Sequence, residues 1–189
     1  MNKPQLQIIN SKVYNNTIRL WLGRDDYLSH DELDEYCVAL KTEWNKGGDT
    51  FIELMIKCLG WPWAEDVVKC YVTGTRASFS SPLTVGYKKN INLALNVLTH
   101  ELIHCYISQH IPELRKKIDD FYAEYSNENR LTQNHIMVHA IHEYIYRNTS
   151  RVEELEADIK SCQSAPDYAK SWEIVGRVGY QEVVKKIAR

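Results

Sequence analysis

From Asn90 onward the chain carries apolar residues at helical spacing almost to its end, which commits the second half to packed helices. The periodicity predicts helices over 91–109, 112–126, 131–147, 150–163 and 168–188. The stretch from Val67 to Tyr87 differs: Val67, Val68, Tyr71, Val72, Phe79, Leu83 and Val85 stand among Thr, Ser and Gly. That pattern predicts two or three strands turning at Gly74 and Ser81-Pro82. Upstream, Ser29-His30-Asp31-Glu32 is a capping box, and Leu33, Tyr36, Cys37, Leu40 and Trp44 follow at helical spacing until Gly47-Gly48. Thr50-Phe51-Ile52-Glu53 repeats the signal and opens a short helix ending near Gly60. Leu6 to Leu22, centred on Asn15-Asn16, reads as a hairpin. The expected fold is α+β in one domain, 1–189. Residues 1–90 give helices and a small mixed or antiparallel sheet, and 91–189 a helical part that packs its central helix on that sheet and carries the site.

The balance of residues narrows the function classes. With 189 residues, 44% hydrophobic and 25% charged, the chain can bury an ordinary core. A formal net charge of -2 gives no bulk attraction to nucleic acid or to an acidic membrane surface, and neither is expected as a partner. No stretch reaches the roughly 18–20 apolar residues of a membrane span. The five cysteines, Cys37, Cys58, Cys70, Cys105 and Cys162, are odd in number and contain no Cys-x-x-Cys pair. They read as small buried hydrophobes in a reducing compartment, and not as a disulfide framework or zinc ribbon. Residues Pro4-Gln5-Leu6-Gln7 lack the apolar core of a signal peptide, so the cytoplasm is the expected address.

Chemistry concentrates in the helix predicted over 91–109. Leu95, Leu98, Leu102 and Cys105 form one apolar stripe, and Leu93, Val97 and Ile107 extend it around the helix. A helix apolar on nearly all sides is a buried one, yet this one carries His100, Glu101 and His104. Histidines four apart lie one turn apart on one face, where both imidazoles reach a single ion. Zn2+ accepts neutral imidazole nitrogen and keeps an open position for water at catalytic sites. Glu101, beside the first histidine, is placed to take a proton from that water. The plain alternative is a helix with two hydrogen-bonded histidines and a surface glutamate. Burial of unpaired polar groups, at about 1–3 kcal/mol each, weighs against it.

The run Leu98-Thr99-His100-Glu101-Leu102-Ile103-His104, behind a strand-like segment at Leu83–Tyr87, resembles the zincin metallopeptidases. The likeness covers about 25 residues, from Pro82 to His104, and is a resemblance to the clan. It implies a zinc-binding active-site helix, a glutamate general base and a nearby sheet edge that aligns the substrate strand. His100 and His104 carry over as ligands and Glu101 as base.

A three-ligand site needs one more donor. His110 stands where the metzincin branch places its third histidine, but that pattern requires a glycine at 107 and this chain has Ile107. His135, His139 and His142 follow i, i+4, i+7 and line one face of a predicted helix, with Ile136, Val138 and Ile141 on other faces. His135 or His139 is the expected ligand, and spacing alone does not separate them. His142 is then free to hydrogen-bond a ligand or a reacting carbonyl. Glu154-Leu155-Glu156-Ala157-Asp158 resembles the signature of the gluzincin branch, which makes Glu154 the fallback ligand and Asp158 a residue orienting His100 or His104. Tyr122, Tyr144 and Tyr146 are candidate donors to an oxyanion. Trp44, Trp61, Trp63 and Trp172 are expected to be core anchors.

The function expected is a zinc-dependent peptidase acting on a peptide or protein substrate. A zincin-like module that keeps its metal for stability and catalyses nothing is one alternative. A DNA-associated protease of the SprT-like kind is another, disfavoured by the lack of a C-terminal cysteine ribbon and a basic tail. Substrate identity and oligomeric state are not encoded in any motif.

Overall fold

The computed structural model describes residues 3–23 and 28–189. Its first strand, β1 (Gln5–Asn10), leads into helix α1 (Lys12–Leu22), where the sequence suggested a hairpin. Ser11 accepts from the Tyr14 amide at the start of α1, and Gly23, at φ 60°, ends it. Asn15 does not turn the chain. It sits fully buried inside α1, where its side-chain oxygen accepts from the Gly74 amide at 3.1 Å.

Helix α2 (His30–Trp44) opens on the expected capping box, with Ser29 and Glu32 exchanging both bonds. Helix α3 (Gly48–Leu59) starts earlier than the Thr50 signal predicts and lacks a side-chain cap. Gly48 is required there, because a Cβ would lie 2.1 Å from the Trp44 ring. Of the two or three strands expected there, three are present: β2 (Val67–Thr73), β3 (Phe79–Ser80) and β4 (Leu83–Gly86). The sheet order is β1-β2-β4-β3, with β1, β2 and β4 parallel and β3 antiparallel to β4 at the edge. The sheet is therefore mixed.

Helix α4 (Ile91–Ser108), capped by Asn90, packs against β4 and β3. Beyond it run α5 (Ile111–Glu124), α6 (Arg130–Asn148) and α7 (Val152–Cys162). The single helix expected over 168–188 is two, α8 (Pro166–Val178) and α9 (Tyr180–Ile187), broken at Gly179 with φ 87°. One core runs through both halves of the chain: Leu33, Ile52 and Met55 share it with Leu98, Ile103, Ile141 and Ile145, all fully buried. Trp44, Trp63 and Trp172 are each 4% exposed and anchor it as expected, whereas Trp61 is partly buried at its margin. Each cysteine is free. Among the described residues no helix is long and apolar enough to cross a membrane.

Candidate metal centre

Helix α4 is not buried all round. Leu93 is 37% exposed, while His100, Glu101 and His104 are largely but not fully buried and line cavities. The Ile103 and Leu102 faces stay in the core, so the motif looks out of a helix whose back is fixed. Helix α6 crosses α4 and delivers His135 beside the pair. One ligating atom from each of His100, His104 and His135 lies within 4.8 Å of the other two. The ring centroids are 5.0 Å apart for His100–His104, 5.3 Å for His100–His135 and 5.0 Å for His104–His135.

Bond partners separate the two histidines that sequence spacing left equivalent. His135 shares a bond of 2.8 Å between Nδ1 and the Leu131 carbonyl, which makes Nδ1 the protonated nitrogen and leaves Nε2 with its lone pair. That Nε2 is buried and has no partner. His139 instead contacts Ser171 Oγ through Nδ1 at 2.8 Å and stacks on Trp172 at 4.2 Å between centroids, 8° from parallel. Its Nε2 is also buried and unpartnered, so position is what keeps His139 outside the triad: its ring is not one of the three whose ligating atoms converge. His142 is fully buried, packed on Tyr146, and both its nitrogens lack partners.

The other candidates are placed elsewhere. His110 packs between Trp61 and Tyr106, away from the triad, at the start of α5. The Glu154 carboxylate turns to Arg151 at 3.8 Å. Asp158 faces His142, with Oδ2 4.0 Å from Nδ1, and neither His100 nor His104 is within ion-pair distance of it. Tyr146 donates to Asn96 at 2.5 Å inside the core and is not available to an oxyanion, and the Tyr144 ring lies beside Tyr180. Tyr122 donates to Asn134 at 2.5 Å.

Tyr168, on α8, escaped the sequence reading. Its ring lies 4.1 Å from His135 and 6.2 Å from His100, and it lines a cavity of about 240 Å³ together with His100, Glu101, Lys88 and Ser78. No periodicity links position 168 to the motif, and only the packing of α8 on α6 brings it there. A second opening of about 440 Å³, on the His104 side, is lined by Ser80, Ile107, Met137 and Val138. Ser78 immediately precedes the edge strand β3 and Ser80 ends it, so both openings border the same sheet edge, one lined by His100 and the other by His104. The loop before β3 is held down by Gly86. A Cβ there would stand 2.4 Å from the Ala77 carbonyl oxygen.

Burial holds the cluster uncharged. His104 is pushed down to about 4, by desolvation and then by His135. His100 and His139 are driven well below the ordinary imidazole range by burial and by neighbouring rings, and burial also lowers His135 and His142. Neutral imidazole is the form that binds a metal. Burial raises Glu101 to about 7, opposed by the Lys88 ammonium across the cavity. The unpartnered His135 Nε2, on a ring beside two further neutral imidazoles, fits a divalent cation. Three imidazoles suit zinc, copper, nickel or cobalt alike.

No family model matches the chain, and neither the curated proteins nor the solved structures contain one similar to it.

Proposed function

We propose that this chain is a metal-dependent peptidase that uses zinc. The observation that carries the reading is the convergence of His100, His104 and His135 beside Glu101, in a cleft bordered by the edge strand β3. His100, His104 and His135 would hold the ion, and three protein ligands leave a position for water. When bound, zinc supplies Lewis acidity, lowering the pKa of water towards about 7 and polarising a carbonyl.

This chain's residues then do the remaining work. Glu101, with its affinity for a proton raised by burial, accepts one from water and returns it to the leaving amine. Tyr168 lines the same cavity and donates its hydroxyl to the oxyanion that develops on the substrate carbonyl. The unpaired backbone edge of β3 aligns an extended substrate, because a strand can add to an exposed sheet edge.

The test is cleavage of a peptide library by zinc-loaded protein. Glu101→Gln is expected to keep its metal and lose about 10²–10⁴-fold in turnover. Tyr168→Phe is expected to lose about a hundredfold in kcat with KM little changed. Wild-type turnover in Glu101→Gln contradicts the assigned base. A protein that binds zinc and cuts nothing is a metal-stabilised module.

A further inference from the structure

The opening on the His104 side has an apolar floor of Ile107, Ile118, Met137 and Val138, and two arginines stand on its rim. They differ in what they touch. Arg115 is paired with Asp119 at 3.1 Å. Arg130 has no carboxylate partner among the described residues, and its guanidinium lies 3.8 Å over the Tyr122 ring. Tyr122 is fixed in turn by its bond to Asn134. With the ring against it and no carboxylate beside it, the exposed guanidinium keeps N–H groups open to a carboxylate, which a guanidinium can take through two parallel bonds. Arg130 is also the first residue of α6, an end at which the Asp167 carboxylate already accepts from Asn129 and Thr132, so the guanidinium and not the helix terminus is the free anion-binding group of this rim.

We propose that this groove binds a carboxylate carried by the substrate, with Arg130 as the recognising residue. The apolar floor would hold the part of the chain that lies between the carboxylate and the metal centre. The inference rests on the peptidase reading and adds a substrate class to it: peptides with an acidic side chain, or a free C-terminal carboxylate, a few residues to one side of the scissile bond.

The test measures binding as well as cleavage. Zinc-loaded Glu101→Gln protein is titrated with fluorescent, N-capped hexapeptides rich in Leu and Met, varied in two ways. One pair is amidated and carries Glu or Lys at each position in turn. The other pair carries neither residue and ends in a free carboxylate or an amide. The carboxylate-bearing member is expected to bind at least about tenfold more tightly, in a salt-sensitive manner. A preference in the amidated pair assigns an acidic side chain, and a preference in the second pair alone assigns the C-terminus. Arg130→Gln should abolish the preference and Arg130→Glu should reverse it towards Lys, with melting temperature as the control for folding. Equal affinities, a preference untouched by Arg130→Glu, or no peptide binding at all would overturn the proposal. Cleavage by the wild-type protein separates the two readings. Cutting without an acidic preference sinks the subsite alone, whereas Arg130-dependent binding without any cutting sinks the peptidase alone.

Discussion

His135 and His139 stand one turn apart on α6, and the chain treats them in opposite ways. His139 is covered by α8, which supplies Ser171 to one nitrogen and Trp172 to the ring face. His135 is tied by Nδ1 to its own helix, its Nε2 has no partner, and its ring offers a ligating atom close to those of His100 and His104. A buried imidazole needs an answer for each nitrogen. At His139 the Ser171 bond answers one nitrogen and Nε2 is left buried without a partner, whereas at His135 the unpartnered Nε2 belongs to a ring whose ligating atom converges with those of His100 and His104. The contrast shows that a histidine stripe is only a set of candidates, and that the neighbouring helix decides which of them become ligands.

Substitutions at the two positions break or sharpen the contrast. His135→Ala should weaken zinc binding by more than about a hundredfold, beyond the 10–100-fold that an outer-shell partner commands. Competition against a chromogenic chelator measures this. His139→Ala, in the same assay, should stay within that outer-shell range while costing about 2–4 kcal/mol of folding stability for the ring lost from Trp172. Chemical denaturation reads the stability change. Equal loss of metal in the two variants would erase the distinction.

Acid tests the cluster as a whole. In the metal-free protein His100, His104, His135, His139 and His142 have folded pKa values depressed below the unfolded value. The unfolded chain therefore binds more protons, and stability is complete above about pH 6.5 and falls as pH drops towards about 4, the value of His104. Glu101 acts in the opposite sense. Its folded pKa is raised to about 7, so the native state binds the extra proton and stability from this one group declines as pH rises from 4.5 to about 7. Five groups outweigh one, and the melting temperature of metal-free protein should fall on acidification from pH 6.5 to 5. His135→Ala should flatten that fall, and a flat wild-type curve would contradict the burial of the cluster. The smallest effect is expected at His142. With both nitrogens unpartnered and Asp158 beyond hydrogen-bond reach, His142→Leu should be neutral or stabilise by up to about 1 kcal/mol in the same denaturation assay.

Local signals were legible in the sequence wherever a local cause sets the structure. The Ser29 capping box, the strands around Gly74 and Ser81-Pro82, and the helix carrying His100 and His104 all read directly from spacing. Features set by distant packing did not. Residues Gln5–Asn10 form a strand because they pair in parallel with Val67–Val72, far along the chain, and nothing nearby distinguishes that from a hairpin. His135 and His139 have the same spacing and the same apolar neighbours, and only Ser171 and Trp172 tell them apart. Tyr168 belongs to no motif and reaches the cleft through the docking of α8. The break at Gly179 was hidden because helical apolar spacing continues on both sides of it.

The most direct measurement is the metal content of purified protein, by elemental mass spectrometry, for wild type, His139→Ala and the three variants His100→Ala, His104→Ala and His135→Ala. The account predicts about one zinc per chain in the first two and strong depletion in each of the other three. Wild-type protein without metal after zinc loading, or a His135→Ala protein that retains a full equivalent, would contradict it.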